Sequence, residues 1–136
     1  MPGVGVPQRP DDPTIDGSQR LWRRVHPIQI RIDPETEDPK ISSGVFSTDQ
    51  ELSVALASET TIETLLGEYP EYSVVEFEAV DARSTGCTVV RCPLPGDPAH
   101  ALVCGPRSRG RLNKTQQQYL KTHSRLVVFR RPKQRG

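Results

Sequence analysis

Two histidines are placed for acid–base or metal chemistry. His26 ends the run at 21–26 (LWRRVH), and His100 lies in the run at 97–101 (DPAHA), so each sits on a predicted strand close to a proline. If the two strands are neighbours, the imidazoles converge and can act as general acid and base or as ligands. The alternative interpretation is that each histidine is a hydrogen-bonded structural residue.

A second group of candidates follows a set order along the chain. Arg24 lies in a basic first strand, Ser47 follows a short strand that leads into a predicted helix, and Glu76 and Glu78 lie in a later strand. This layout resembles that of ADP-ribosyltransferases. The resemblance implies that the arginine holds a phosphate or ribose of NAD, that the serine-bearing strand orders the pocket, and that a glutamate stabilises charge developing at the ribose. The alternative is that these side chains face outward and pair across strands, for example with Arg91.

The three cysteines, Cys87, Cys92 and Cys104, form no CxxC pair, although together with His100 they are of the types that bind zinc. We interpret them as small buried side chains with reduced thiols, because the number is odd and no export signal is seen. The sequence also lacks a nucleotide-binding glycine loop, a GxSxG elbow and an HExxH helix. We therefore predict no metal site and no cofactor, and the sequence favours a non-catalytic role over an enzymatic one.

Charge is divided sharply along the chain. All 17 acidic residues precede Cys104, and residues 1–104 carry 8 basic groups, whereas residues 105–136 carry 10 basic groups and no acidic one. The net charge of +1 therefore conceals −9 in the first part and +10 in the second. Such asymmetry is typical of a segment that contacts a polyanion. The candidate contact residues are Arg107, Arg109, Arg111, Lys114 and Lys121.

Several roles are compatible with this division. The basic segment can bind nucleic acid or an acidic protein, or it can pack against the acidic body of the same molecule and reduce its self-repulsion. In a further hypothesis the chain is an immunity or accessory protein whose acidic surface blocks the active site of another protein. Our leading prediction is a binding or regulatory module whose basic C-terminal face contacts nucleic acid or an acidic protein.

Hydrophobic patterning predicts the elements that position these residues. Period-two alternation indicates strands at 21–26, 28–32 and 73–80. Strand-like stretches near turn residues indicate further strands at 87–91, 100–104 and 125–129, with a shorter one at 43–46. Capping-box spacing and apolar stripes indicate helices at 49–58, 60–69 and 113–122. The charged residues 33–40 predict a solvated loop. The order favours an α+β fold, with a small, mainly antiparallel sheet of five or six strands and two or three short helices.

The two ends contain little that can be buried. Residues 1–18 hold four prolines, three glycines and three aspartates, which predicts a disordered arm, followed by one domain at 19–131 and a frayed basic end at 132–136. No apolar run approaches the roughly 20 residues that cross a bilayer, and the first residues lack the pattern of a secretory signal. These features predict a cytoplasmic protein without membrane contact, and they do not indicate an oligomeric state.

Three segments also carry a resemblance to other proteins. They lie at 21–27 (LWRRVHP), 51–58 (ELSVALAS) and 97–105 (DPAHALVCG). In combination they resemble a loosely defined family of small bacterial proteins, over about residues 21–105 and often over the basic helix that follows. The resemblance implies no established activity. Neither Ser47 nor the second glutamate is a fixed feature of that family, which weighs against the transferase interpretation.

Overall fold

The computed structural model describes residues 8–131. Its strands are β1 (Arg20–Val25), β2 (Ile30–Ile32), β3 (Pro39–Ile41), β4 (Leu52–Leu56), β5 (Ser73–Glu78), β6 (Thr88–Arg91), β7 (His100–Cys104) and β8 (Arg125–Val128). Its α-helices are α1 (Ile62–Leu65), α2 (Ala79–Ser84) and α3 (Lys114–His123). Six strands form an antiparallel sheet in the order β6-β7-β4-β1-β5-β8, and β2 pairs with β3. The predicted α+β fold with a mainly antiparallel sheet is confirmed.

The six-stranded sheet has a covered face and an outer face. On the covered face, apolar side chains of the strands pack with α2, α3 and the turn at 43–46, where Phe46 meets Phe77 edge to face with ring centroids 5.8 Å apart. Side chains alternate between the faces of a strand. Since Trp22 pairs with Ala55 and Ala55 pairs with His100, these three residues share the outer face.

The prediction of a helix at 49–58 is wrong, because residues 52–56 form the central strand β4. Leu52 and Leu56 fit the apolar stripe of a helix, but with Val54 they also alternate with period two. Pairing on both sides, with β1 and with β7, decides between the two patterns. The expected capping box does not form, since the Thr48 hydroxyl donates to the carbonyl oxygen of Gln50.

Other elements differ from the prediction in length or type. The stretch at 43–46 is a 3₁₀ turn rather than a strand, and the helix expected at 60–69 is the single turn α1, capped by the Thr61 side chain. Residues 39 and 40, expected in the loop at 33–40, form β3 together with Ile41. The strand expected at 73–80 ends at Glu78, where α2 begins. Helix α3 begins after the predicted N-cap Asn113.

Residues 8–18 do not form the predicted disordered arm. The backbone of Asp12 donates to the carbonyl oxygen of Val89 at 3.0 Å, and the Gln8 amide donates to that of Cys104 at 2.7 Å, so this segment follows the sheet edge formed by β6. Ile15 is buried in the core. One buried isoleucine and several backbone contacts hold a segment that composition alone assigns to disorder. Residues 1–7 and the predicted basic end at 132–136 lie outside the described residues.

The described residues contain no helix of the length and apolarity that a bilayer crossing requires.

Candidate functional site

Three of the catalytic candidates line one cavity at the outer face of the sheet. This sheet-face cavity has a volume of about 260 Å³ and is lined in part by Arg24, His26 and His100. Arg23, Ser53 and Asp97 also line it. All six residues come from the three segments at 21–27, 51–58 and 97–105, which are distant in sequence and meet at this point.

Arg23 reaches the cavity through a gap between two strands. Strands β1 and β4 pair at Leu21 and Trp22, and they separate beyond that point. The guanidinium of Arg23 lies in the gap, where it donates to the carbonyl oxygens of Val45 at 2.6 Å and Ser53 at 2.7 Å. These bonds give the carbonyl groups of Val45 and Ser53 a partner where the strand ladder has ended.

Two adjacent arginines line the cavity, and neither has a counter-ion in the described part of the chain. Within residues 8–131, no carboxylate oxygen lies within 4.0 Å of the guanidinium of Arg23 or Arg24. Arg24 donates to the carbonyl oxygen of Leu65 at 3.1 Å and lies 4.4 Å from the ring centroid of Tyr69. Burial, with a contribution from the charge of Arg24, lowers the pKa of Arg23 to about 10, so Arg23 stays protonated at neutral pH. Among the described lining residues, Asp97 supplies the one carboxylate.

His26 has a local structural contact as well as its place in the cavity. Its Nδ1 accepts a hydrogen bond from the backbone N–H of Ile28 at 3.0 Å and so caps the turn at 27–29. Its ring packs edge to face with Tyr72, with centroids 5.1 Å apart. The hydrogen-bonded structural interpretation of this histidine therefore agrees with the geometry.

His100 bridges a backbone carbonyl and a serine. Its Nδ1 lies 2.7 Å from the carbonyl oxygen of Cys92, and its Nε2 lies 3.2 Å from the hydroxyl of Ser53. His26 follows the end of β1, His100 begins β7, and β4 lies between these two strands. The two imidazoles therefore share a cavity, as the sequence allowed, but they bind different groups.

Glu76 lies on the same outer face but in another cavity, which Arg20 and Trp22 also line. Its carboxylate accepts hydrogen bonds from Trp22 Nε1 at 2.9 Å and from Arg125 Nη2 at 2.8 Å, and Arg20 Nε lies 3.8 Å away. Burial raises the pKa of Glu76, but the hydrogen bonds from Trp22 and Arg125 and the charges of Arg125 and Arg20 outweigh it, so the pKa is lowered. The cross-strand partner of Glu76 is thus Arg125 and not Arg91, which pairs with Glu59.

The four residues of the transferase layout lie at four different places. Arg24 lines the sheet-face cavity, and Glu76 lines the second cavity. Ser47 ends the turn whose Phe46 packs into the core on the covered face. Glu78 precedes α2, and its backbone N–H donates to a carboxylate of the first helical turn at 2.9 Å. The geometry gives the transferase hypothesis no support.

The five predicted contact residues, Arg107, Arg109, Arg111, Lys114 and Lys121, are called the basic surface below. The first three lie in a tight loop, in which the Gly105 N–H donates to the carbonyl oxygen of Gly110 at 2.7 Å. A Cβ at position 105 would lie 2.2 Å from the carbonyl oxygen of Arg111, so glycine is needed for this close approach. The loop exposes Arg107 and Arg109 to solvent.

Helix α3 continues the basic surface. The Asn113 side chain caps it by accepting a backbone N–H of the first turn at 2.8 Å. Lys114 is exposed in that first turn, and Lys121 lies two turns further along, about 10 Å away along the axis. Lys121 borders a groove together with Arg31 and Lys40 of the β2–β3 hairpin.

Among the residues that the structure describes, the basic surface has no counter-ion. Within residues 8–131, Arg125 is the one residue after Cys104 whose cationic group lies within 4.0 Å of a carboxylate. Packing of the basic segment against the acidic body would produce many such pairs. The described part of the segment therefore keeps its charge for solvent or for a partner.

The three cysteines are free thiols, and Cys87 and Cys104 are buried. Burial raises the pKa of Cys87, and burial together with a hydrogen bond to Glu51 raises that of Cys104 to about 12. Within the part of the chain that the structure describes, no group of three or more His, Cys, Asp or Glu side chains is arranged to hold a metal ion.

No protein-family model, no curated protein and no solved structure matches this chain. The roles of its residues are therefore argued from geometry and charge. Three of the lining residues named above, Arg23, Ser53 and Asp97, are not among the predicted site residues. For Ser53 the period-two alternation of residues 52–56 was the available signal, because in a strand Ser53 lies on the polar face.

Proposed function

We propose that this chain binds nucleic acid through the phosphate backbone, with the basic surface as its contact. The observation that carries the proposal is the absence of an internal ion pair at any of the five cations within residues 8–131. Lysine and arginine bind phosphates by releasing condensed counter-ions, which gives affinity without reading the base sequence. Residues 8–104 serve as the rigid platform for this contact.

The side chains around the cations favour nucleic acid over an acidic protein. Helix α3 has no carboxylate, and its exposed positions carry Thr115, Gln118, Thr122 and His123. Hydroxyl and amide groups of this kind bind phosphate and sugar oxygens. Protein interfaces instead depend on buried apolar anchors. Among the exposed large apolar residues of the described chain, Ile28 lines the groove that Lys121 borders, whereas Val80, Leu94, Val127 and Phe129 lie outside the loop at 105–111 and outside α3.

Fluorescence anisotropy with labelled random-sequence duplex DNA and single-stranded RNA, measured over a range of salt concentrations, tests the proposal. Five phosphate contacts predict a slope of log K against log salt of about −4.5 for the duplex, and a shallower slope for the single strand. In R107Q/R109Q/K114Q, the duplex slope should become shallower by about 2.7.

The control variant R20Q removes one exposed cation that already has a carboxylate nearby. Its salt slope should equal that of the wild type. Affinity that is independent of salt, or a triple variant with an unchanged slope, would contradict the proposal. Salt-dependent binding to polyglutamate without binding to either nucleic acid would contradict the nucleic-acid partner and would indicate an acidic protein as the partner. The immunity or accessory hypothesis stays a prediction.

A further inference from the structure

The pairing of β4 with β7 places a serine beside a histidine in the sheet-face cavity. Ala55 is opposite His100 in the ladder, so Ser53, two positions away on the same face, is the diagonal neighbour of His100. The distance from Ser53 Oγ to His100 Nε2 is 3.2 Å. A nucleophile and its base require a separation of this size.

The other ring nitrogen of His100 fixes the tautomer. A carbonyl oxygen only accepts hydrogen bonds, so the 2.7 Å contact with the Cys92 carbonyl requires a proton on Nδ1. In the neutral imidazole the lone pair is then on Nε2, which faces the Ser53 hydroxyl. The backbone N–H of Cys92 also donates to the His100 carbonyl oxygen at 3.0 Å. This second hydrogen bond holds Cys92, whose carbonyl oxygen orients the ring, beside His100. The arrangement consists of a nucleophile, a base and a group that orients the base.

Cationic donors complete the site. One N–H of Arg23 binds the carbonyl oxygen of Ser53 itself, which anchors the guanidinium beside this serine. A guanidinium has five N–H donors, and the two bonds of Arg23 to Ser53 and Val45 leave three of them for a ligand. Arg24, with one hydrogen bond to Leu65, leaves four. Donors of this kind stabilise an oxyanion that develops during acyl transfer.

We propose that the sheet-face cavity is an acyl-transfer site that hydrolyses small esters bearing a carboxylate or phosphate group, with Ser53 as nucleophile and His100 as general base. The two unpaired arginines select the negative charge, and the cavity volume of about 260 Å³ limits the acyl group to a small one. The proposal does not depend on nucleic-acid binding, because none of the basic-surface residues lines this cavity among its described residues.

The reaction has two balanced halves. Ser53 Oγ attacks the ester carbonyl carbon while its proton moves to His100 Nε2, and the tetrahedral intermediate expels the alcohol, which takes that proton. Water then attacks the acyl-Ser53 carbonyl and gives one proton to His100 Nε2. Collapse releases the carboxylic acid and returns the proton to Ser53. The Nδ1 proton stays on the ring throughout and remains hydrogen-bonded to the Cys92 carbonyl oxygen.

Labelling with a neutral alkyl fluorophosphonate tests the nucleophile. In this reaction the serine oxygen displaces fluoride from phosphorus. Intact-mass measurement and peptide mapping of the wild-type chain should show one adduct, on Ser53. The adduct should be absent in S53A, and its formation should be slower by about a hundredfold or more in H100Q, because the base is lost.

The matched control is S58A, which removes an exposed serine whose hydroxyl contacts Gln19 instead of a histidine. It should be labelled at the wild-type rate. An unlabelled wild-type chain, or an adduct on another residue, would overturn the proposal without any variant. Labelling of a folded H100Q at the wild-type rate would overturn the role of His100.

A pair of chromogenic esters tests the charge preference. The wild type should hydrolyse p-nitrophenyl succinate, which carries a carboxylate, with a higher kcat/KM than p-nitrophenyl butyrate. R24Q should reduce that ratio by about tenfold or more, the value of one charged hydrogen bond. Inorganic phosphate and acetate, used as competing inhibitors, separate the two anion classes. An unchanged ratio in R24Q would overturn the anionic specificity, and hydrolysis of neither ester would overturn the activity.

Discussion

Two arginines on the same face of β1, Arg20 and Arg24, have opposite surroundings. Arg20 lies 3.8 Å from Glu76, whose carboxylate also binds Trp22 and Arg125. Arg24 lines a cavity that holds a second arginine, two histidines and, among its described residues, one carboxylate. Both side chains extend from the same face of one strand, but the charge around them differs. The comparison indicates that the end with balanced charge stabilises the fold, whereas the end with excess positive charge is available to an anionic ligand.

The largest expected effect is at the balanced end. Glu76 is 7% exposed, and E76Q would leave the Trp22 N–H and the Arg125 guanidinium with a weaker, uncharged acceptor. We expect the free energy of unfolding to fall by about 2–3 kcal/mol. Urea denaturation, followed by the fluorescence of Trp22, the single tryptophan, measures it directly.

The control for this prediction is E71Q, at an exposed glutamate close to the start of the same strand. The substitution should lower the free energy of unfolding by no more than about 0.5 kcal/mol, as for an ordinary surface change. Equally small losses of unfolding free energy in E71Q and E76Q would show that the cluster around Glu76 does not stabilise the fold. The charge-balanced end of β1 would then have no demonstrated structural role.

A smaller effect is expected from pH. Because the pKa of Glu76 is lowered in the folded state, its carboxylate stabilises the fold above the pKa of the unfolded chain. That contribution is lost as the pH falls through the folded pKa. The free energy of unfolding should therefore fall more between about pH 6 and about pH 3 in the wild type than in E76Q. Urea denaturation at each pH measures this difference, and parallel pH profiles of the two proteins would contradict it.

The pattern of apolar residues was sufficient for much of the fold. Strands β1 and β5 contain clear alternation, β7 is a short apolar run followed by Gly105, and the N-cap Asn113 marks the start of α3. Residues 52–56 could not be assigned in the same way, because Leu52 and Leu56 fit both a helix and a strand. Their conformation is decided by neighbours that are distant in sequence, namely β1 and β7.

The candidate site was predictable only in part, for a related reason. Arg24, His26 and His100 could be named from residue type and local pattern. Ser53 could not, because its contact with His100 exists only when β4 is a strand with this register. Arg23 lies two positions from both Leu21 and Val25, so the strand pattern places it with them on the covered face. Its long side chain nevertheless reaches the cavity where β1 and β4 separate.

The smallest expected effect is at the end with excess positive charge, where R24Q sharpens the comparison. In chloride the free energy of unfolding of R24Q should differ from that of the wild type by no more than about 1 kcal/mol, because the lost contacts with Leu65 and Tyr69 are offset by reduced repulsion of Arg23. An oxyanion at ten times its Kd stabilises the folded chain by about 1.4 kcal/mol. Phosphate should therefore raise the Tm of the wild type above its value in chloride of equal ionic strength, and should raise that of R24Q less.

Since phosphate also stabilises proteins in general, R20Q is the reference, and it should respond as the wild type does. An equal loss of response in R20Q and R24Q would mean that phosphate acts on net charge, and the distinction between the two ends of β1 would then have no consequence for binding.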